Sequence, residues 1–378
     1  MLKKSIIIIA VLTVVFSAGI NAQHKKWRSG IIEEQYLYEK APFPSCHSAT
    51  IAETPTGLVA SFFGGTKERN PDVEIYISRM VDGKWLAPVS VANGIQSDSL
   101  RLPTWNPVLY QVPGGDLILF YKVGPKPSGW WGLMRTSKDG GITWSAAEKL
   151  PDGYIGPVKN KPVLLSNGNL FAASSTEGDG WKVHFEVTSD NGKTWRKVGP
   201  IASNGIDAIQ PSILKHGDGK LQILARSRSR ALAESWSLDN GETWSPLAKT
   251  TLPNNNSGTD ALTMKDGRHV LVYNHVLPPG DLAKGPRTPL NVSISKDGKN
   301  WSAALILEDS PISQYSYPAV IQTADGMLHF IYTWRRKKIK HVVVDPAKLK
   351  LRKIKNGVWP KVKGYTAPVL TETKHEEE

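Results

Sequence analysis

Cysteine is nearly absent from this sequence. Cys46 is the single cysteine among 378 residues, so no disulfide can form within the chain. A disulfide-stabilised scaffold is thereby excluded, and the stability of the fold has to come from its hydrophobic core, which a chain of this length can bury. No cluster of His, Cys and Asp has the spacing of metal ligands, so we expect neither a metal nor a cofactor.

Long apolar runs are also scarce, and the one that stands out is N-terminal. Residues 1–22 combine two early lysines, an apolar stretch and a small-residue site that ends at Ala22. This order is typical of a cleaved signal peptide, and the apolar stretch is too short to span a membrane comfortably. We therefore expect a secreted or periplasmic protein with no integral membrane span after the signal is removed, and a mature chain of residues 23–378.

Basic residues outnumber acidic residues in this sequence, and the excess is concentrated in one segment. The net charge is +13, and residues 335–363 hold twelve lysines and arginines against one acid, Asp345. Without this segment and the signal peptide, the chain is formally neutral. The segment is either a solvated outer strand with a C-terminal extension or a patch for an anionic glycan. Because the sequence has no nucleic-acid motif, nucleic acid is not an expected partner.

A short phrase that ends in tryptophan recurs about every fifty residues. It occurs at 137–144, 188–195 and 237–244, with altered copies at 295–301 and 78–85. Its Asp-Gly and Asn-Gly pairs are typical of tight turns, because Gly, Asn and Asp tolerate positive φ, and we expect its residues to be structural. A repeat of this period predicts a β-propeller with four-stranded blades.

A second repeat indicates the number of blades. Six turn-forming glycines each precede a short run rich in Val, Ile, Leu and aromatic residues, which is typical of a buried strand. These glycines are Gly57, Gly115, Gly168, Gly219, Gly267 and Gly326. The sequence therefore predicts an all-β fold, a six-bladed β-propeller that forms one domain over residues 23–378.

The segments that enter the innermost strands carry polar or aromatic residues at matched positions. Innermost strands converge on the propeller axis, so these residues are expected to meet at one face and form a ligand site. The set comprises His47, Trp105, Asn106, Lys159, Lys161, Gln210, Asp260, Tyr315 and Tyr317, and the strands that follow add Lys122, Arg226, Asn274 and Arg335. Cations and hydrogen-bond donors of this kind suit a carboxylated or sulfated sugar, and Trp105 is a candidate for sugar stacking.

The boxes and the Gln-Tyr-Ser-Tyr segment resemble the sialidase superfamily, in its Asp-box (BNR repeat) branch. The resemblance implies a six-bladed propeller that binds a substrate carboxylate through three arginines, with a Tyr nucleophile, an assisting Glu and an Asp acid/base. On this resemblance Tyr315 is the expected nucleophile, and Arg226 and Arg287 are the second and third carboxylate-binding arginines. Asp72 or Glu68 is expected in the acid/base region.

Two positions depart from the sialidase pattern. His47 stands where the superfamily has its first arginine, and Gln210 stands where it has the assisting Glu. β-Elimination requires a similar set of groups: a His near Tyr315 or Tyr317 to move protons, and cations that neutralise a uronate carboxylate. We expect one of the two tyrosines to face the funnel, and the resemblance favours Tyr315.

Three functions remain open on the sequence. The first is an exo-glycosidase of the sialidase superfamily that releases a terminal acidic sugar from a glycan. The second is a uronate-directed polysaccharide lyase, or an enzyme active on rhamnose–glucuronate linkages, that uses His47 and a Tyr. The third is a non-catalytic glycan-binding propeller. The matched polar ring favours an enzyme over a binding protein, and the resemblance favours the first function.

Overall fold

Six antiparallel sheets surround a common axis in the computed structural model, which describes residues 25–312 and 314–367. Regular structure outside the sheets in these ranges is limited to one small hairpin, Ile95–Ser97 with Leu100–Arg101, and three short 3-10 helices, Lys25–Trp27, Pro127–Gly129 and Pro346–Lys348. The predicted all-β, six-bladed propeller is therefore confirmed. The predicted signal peptide, residues 1–22, lies outside the described residues.

Each sheet is one blade, numbered here along the chain and described from its innermost strand outward. Blade 1 has Ser45–Thr54, Gly57–Gly65, Glu74–Val81, Lys84–Trp85 and Val89–Ala92; blade 2 has Thr104–Gln111, Leu117–Val123, Trp131–Ser137 and Glu148–Lys149. Blade 3 has Val163–Leu164, Leu170–Thr176, Lys182–Thr188 and Arg196–Val198; blade 4 has Ala208–Lys215, Leu221–Ser227, Ala231–Ser237 and Ala248–Pro253. Blade 5 has Asp260–Thr263, His269–Tyr273, Leu290–Ser295, Trp301–Glu308 and Arg352–Lys353; blade 6 has Tyr315–Gln322, Leu328–Trp334, Lys338–Val344 and Ile31–Tyr36.

Blade 6 joins distant parts of the chain. Its outermost strand, Ile31–Tyr36, pairs antiparallel with Lys338–Val344, with Gln35 opposite His341. The N-terminal strand therefore completes the last blade and closes the ring. Without this pairing, Lys338–Val344 would be an unpaired edge strand of blade 6.

The repeated boxes are turns that hold neighbouring blades together. In the box of blade 4, Asp239 Oδ1 accepts hydrogen bonds from Ser237 Oγ at 2.7 Å and from the Thr243 amide at 2.9 Å. The Trp244 ring stacks on Phe185 of blade 3 with centroids 4.4 Å apart, and its Nε1 donates to the Gly241 carbonyl. These contacts agree with a structural role, since the Asp oxygens are used within the turn and the indole packs into the core.

Candidate active site

A β-bulge at the start of the innermost strand recurs around the axis. In blades 1, 2, 4 and 6 the register with the next strand shifts there, and a residue other than glycine has a positive φ. These residues are Ser48 (58°), Asn106 (29°), Gln210 (56°) and Tyr317 (50°), and Lys159 of blade 3 has a φ of 74°. Left-handed backbone is costly for such residues and clusters at functional sites. Three of the five, in blades 3, 4 and 6, come together at the axis.

Tyr317 lies at the centre of this group. Its hydroxyl oxygen accepts a hydrogen bond from Arg226 Nη1 at 2.7 Å and another from Gln210 Nε2 at 3.3 Å. Its ring packs against the His47 ring, with centroids 4.1 Å apart and planes at 47°. An amide and a guanidinium therefore both donate to the phenol oxygen, which fixes the position of the Tyr317 side chain at the axis.

Three cations surround the Tyr317 ring. The guanidinium carbons of Arg226 and Arg287 lie 5.8 and 5.6 Å from its centroid, and Lys159 Nζ lies 5.8 Å from it. Asn256 holds the Arg226 guanidinium in place, because Nε and Nη2 both donate to its Oδ1, at 3.2 and 3.0 Å, and Nη2 donates to its carbonyl at 2.7 Å. A guanidinium with its plane held in this way is suited to recognition of a carboxylate.

His47 is buried and uncharged. Its Nδ1 lies 2.9 Å from Thr333 Oγ1. Burial lowers the pKa of His47 well below its ordinary value of 6.5, and the charges of Arg336, Arg287 and Arg226 lower that pKa further. The imidazole is therefore neutral near pH 7, and it lies beside the Tyr317 ring without adding a charge to the site.

Arg336 supplies a third arginine that sequence reasoning missed. It follows the strand Leu328–Trp334 of blade 6, forms an ion pair with Glu68, and is the charge with the largest effect on His47. Two arginines in succession, Arg335 and Arg336, were the only signal in the sequence, and nothing in the repeat distinguished them. Three arginines thus lie around the position where the sialidase pattern has its first arginine and this chain has His47.

Tyr315 does not reach the funnel, and the prediction that it does is wrong. It is 1% exposed and packs with Tyr332 in the hydrophobic core between blades 5 and 6. Its hydroxyl oxygen accepts from Arg335 Nε at 3.2 Å and Nη2 at 3.0 Å, so Arg335 is also engaged away from the Tyr317 group. The bulge between Ser316 and Ala319 interrupts the two-residue alternation of the strand, which separates the environments of the two tyrosines.

Trp105 and Lys122 are occupied within the fold, which corrects their prediction as sugar contacts. Trp105 is 2% exposed, and its Nε1 donates to the Gly124 carbonyl at 2.7 Å. Lys122 is fully buried and donates to the Pro157 carbonyl of the next blade; burial lowers its pKa to about 7. Asn106 of the same strand stays a candidate for ligand contact, since its bulge resembles that of Tyr317.

Lys159 ties three blades together at the axis. Its Nζ donates to Asn160 Oδ1 at 2.8 Å and to the carbonyls of Thr259 and Pro318, both at 2.7 Å. Burial lowers its pKa to about 7, the charge of Asp260 acts in the opposite direction, and the hydrogen-bonding capacity of the ammonium group is fully used. The structure therefore supports a positioning role for Lys159 beside the Tyr317 ring.

Asp260 and Lys161 form a second set of contacts that link blades near the axis. Asp260 is 1% exposed, and its Oδ2 accepts from Lys161 Nζ at 2.7 Å and from the Val320 amide at 2.9 Å. Its Oδ1 accepts from Ser212 Oγ at 3.1 Å and from the Ala261 amide at 2.9 Å. With four donors on one buried carboxylate, the prediction of a substrate-binding Asp260 gives way to a structural role.

The two predicted acid/base candidates differ in their surroundings. Asp72 is exposed, and its Oδ2 accepts from the amide and the hydroxyl of Thr66 at 2.8 and 2.7 Å, which shapes the loop. Glu68 is half-buried and paired with Arg336. Of the two, Glu68 is the one linked to the arginines around His47.

Glu177 is a further acid beside the arginines that the sequence did not indicate. It lies just after the strand Leu170–Thr176 of blade 3 and is half-buried. Burial raises the pKa of Glu177 above its ordinary value of 4.5, while Arg226 and Arg228 oppose that rise. Both arginines also pack on Trp181, whose ring lies 5.3 and 4.1 Å from their guanidinium carbons. A carboxyl that retains its proton more readily is suited to donate it to a leaving group.

Neither a helix suited to cross a membrane nor a cluster of metal ligands occurs in the described part of the chain. No helix there is long and apolar enough to cross a membrane. Likewise, residues 25–312 and 314–367 contain no group of three or more His, Cys, Asp or Glu side chains placed to hold a metal ion.

Comparison with known proteins gives matches of three kinds. A family model described as a BNR repeat-like domain matches residues 56–330. The anhydrosialidase of Macrobdella decora is 23% identical over 236 residues, which cover 54% of this chain and 30% of that protein, so the chain matches less than a third of that relative's length. The NanB sialidase of Streptococcus pneumoniae superposes with a TM-score of 0.65 at 14% identity, covering 84% of this chain and 71% of that one.

A further solved structure matches over nearly its whole length. The intramolecular trans-sialidase from Ruminococcus gnavus superposes with a TM-score of 0.64 at 14% identity, covering 85% of this chain and 99% of that one. At these identities the likeness to the solved structures shows the propeller fold alone. Because the family model spans most of the chain and agrees with its repeats and blades, the protein belongs to the BNR repeat-like family, within the sialidase-like superfamily.

Proposed function

We propose that this protein is a secreted or periplasmic exo-glycosidase that releases a terminal acidic sugar from a glycan. The observation that carries the proposal is the setting of Tyr317. Its hydroxyl lies 2.7 Å from Arg226, and its ring lies within 5.8 Å of Arg226, Arg287 and Lys159. A tyrosine among cations is suited to an anionic sugar, since its neutral phenol does not repel the substrate carboxylate.

The arginines bind the carboxylate of the terminal sugar. Arg226 and Arg287 flank Tyr317, and Arg336 lies on the side of His47, so a carboxylate bound among them places the neighbouring anomeric carbon over the Tyr317 hydroxyl. This positioning converts a bimolecular encounter into an oriented attack.

Tyr317 then forms the covalent intermediate. Its oxygen bonds to the anomeric carbon as the glycosidic bond breaks, and its phenolic proton passes to neutral His47, the imidazole packed 4.1 Å from its ring. The carboxyl of Glu177, whose pKa burial raises, gives a proton to the departing oxygen. Water afterwards displaces the tyrosine from the sugar: His47 returns its proton to the Tyr317 oxygen, and the attacking water gives a proton to Glu177 as its oxygen bonds to the anomeric carbon. In this scheme His47 takes the part of the assisting Glu, which Gln210 cannot play.

One observation favours a second candidate, a uronate-directed lyase. The neutral imidazole of His47 contacts Tyr317 directly, and the neighbouring residue at the assisting position is an amide, Gln210. In this case the arginines neutralise the uronate carboxylate, His47 removes the adjacent ring proton, and Tyr317 protonates the leaving oxygen. The product is an unsaturated sugar that absorbs in the near ultraviolet.

The test is a matched pair of variants, Tyr317→Phe and Tyr315→Phe, assayed on sialylated and uronate-containing glycans. Each substitution removes one hydroxyl, but the first lies among the cations and the second lies in the blade core. We expect Tyr317→Phe to lower kcat by about a hundredfold or more, and Tyr315→Phe to change it by less than about threefold. Equal losses would contradict the assignment, and wild-type protein that binds these glycans without cleaving them would establish a non-catalytic propeller.

A further inference from the structure

Blade 4 carries an aromatic hollow on its outer side. Trp236, on the third strand of the blade, lines a hollow of about 460 Å³ together with Lys220, Leu238, Trp244 and Lys299. Leu238 is 75% exposed, so the hollow opens to solvent. A concave surface of this size with an aromatic floor is able to hold a sugar ring.

Two lysines converge on the Trp236 ring. Lys220 Nζ lies 4.8 Å from the indole centroid and Lys299 Nζ lies 5.2 Å from it. Both side chains are exposed, and across the described ranges neither ammonium group forms an ion pair with a carboxylate. Two cations brought to one ring, neither of them in an ion pair with a carboxylate of the described residues, attract an anionic ligand.

The indole is held in position from below. Its Nε1 donates to Glu234 Oε2 at 3.1 Å, and the same oxygen accepts from Gln222 Nε2 at 2.8 Å. The His216 ring packs against the indole with centroids 4.8 Å apart. The oxygens of Asp297, the acid nearest Lys299 in sequence, are taken up by the donors of its own turn. A fixed aromatic surface loses little entropy on binding.

The hollow is separate from the Tyr317 site. Trp236 stands opposite Gln222 on the middle strand of the blade, and Arg226 lies four residues further along that strand. Four residues of strand span about 13 Å, so the hollow lies toward the other end of the blade. A ligand there makes no contact with Tyr317.

We propose that this hollow is a second, non-catalytic binding site for an acidic unit of an anionic polysaccharide. The apolar face of the sugar packs on Trp236, and its carboxylate or sulfate lies between Lys220 and Lys299. The basic segment 335–363 is less suited to this role, because Lys338, Lys340, Lys348 and Arg336 each pair with a carboxylate. The second site holds a polymer on the protein whatever chemistry Tyr317 performs.

The test is affinity gel electrophoresis of the full protein in gels that contain hyaluronan, heparin or neutral dextran. We expect hyaluronan, heparin or both to retard the protein and dextran to leave its migration unchanged. Trp236→Ala and the double variant Lys220→Gln/Lys299→Gln should each raise the Kd about tenfold, and added salt should weaken binding. The double variant Lys138→Gln/Lys193→Gln is the matched control, since it removes the same charge from exposed lysines in two other boxes.

Unchanged retardation in both hollow variants, an equal loss in the control, or equal retardation by dextran would overturn the proposal, as would free migration of the wild-type protein in both anionic gels. Thermal unfolding of each variant shows whether it is folded. Assaying Trp236→Ala for cleavage of a short glycan separates this proposal from the catalytic one, because loss of polymer binding with an unchanged kcat places that binding outside the Tyr317 site.

Discussion

Replacing Asp260 with asparagine should destabilise the fold while leaving substrate binding intact. Asp260 is 1% exposed, and its Oδ2 accepts from Lys161 Nζ and the Val320 amide. An asparagine oxygen can keep the contacts that Oδ1 makes with Ser212 and Ala261. Its NH₂ group, however, then faces two donors, and the ion pair with Lys161 is lost.

The magnitude follows from the burial of this pair. Removing one member of a buried ion pair costs about 3–5 kcal/mol, and we take about 3 kcal/mol because the Lys161 side chain keeps 21% exposure. The entropy of unfolding is about 2.1 cal/mol/K per residue, or about 0.7 kcal/mol/K for the roughly 340 described residues, so Tm should fall by about 4 °C. Thermal unfolding followed by tryptophan fluorescence measures this shift.

Asp72→Asn is the matched control. Both hydrogen bonds to Asp72 reach one oxygen, Oδ2, which an amide oxygen can replace, so its Tm should change by less than about 1 °C. An Asp260→Asn protein with an unchanged Tm and a raised KM would refute the reasoning, since it would place Asp260 in the ligand site.

Three further predictions concern pH, packing and charge. Burial lowers the pKa of His341 to about 3, so the stability that its neutral form contributes is complete above about pH 6.5 and is lost as the pH falls toward 3. The Tm of the wild type should therefore drop between pH 7 and pH 5, and the drop should be smaller in His341→Gln. In Gly258→Ala the new Cβ would lie 3.0 Å from Lys159 Cε, which should lower kcat/KM about tenfold with little change in Tm; an unchanged kcat/KM would argue against positioning by Lys159. Arg336→Lys should raise the KM for an acidic substrate about tenfold and leave the circular dichroism spectrum unchanged. An unaltered KM would show that Arg336 does not bind the substrate carboxylate.

Local chemistry explains why the fold was predictable from the sequence. The Asp of each box satisfies amides within its own turn, and Gly57, Gly168 and Gly326 adopt the positive φ that their turns require. Features of this kind depend on neighbours in sequence, so the repeats marked each blade. The order of the blades then brought the entering segments to one axis, which placed Gln210, Lys159 and Tyr317 together as expected.

The direction in which each side chain points depends on contacts between blades, and these contacts cannot be read from the sequence. A bulge placed Tyr317 rather than Tyr315 among the cations, and its position in the strand follows from packing across blades. Asp260 satisfies groups from three other segments, which no spacing reveals. Arg336 and Glu177 come from loops without a repeat counterpart, so only the closed ring shows that they lie near Arg226 and His47.

The central claim is that Tyr317 acts on a terminal acidic sugar by hydrolysis. The most direct measurement is mass spectrometry of the products formed from sialylated and uronate-containing glycans in water enriched in heavy oxygen. The account predicts a released acidic sugar that carries the heavy oxygen, formed by the wild type and by Tyr315→Phe but not by Tyr317→Phe. An unlabelled, unsaturated uronate whose formation requires His47 would contradict hydrolysis and establish the lyase.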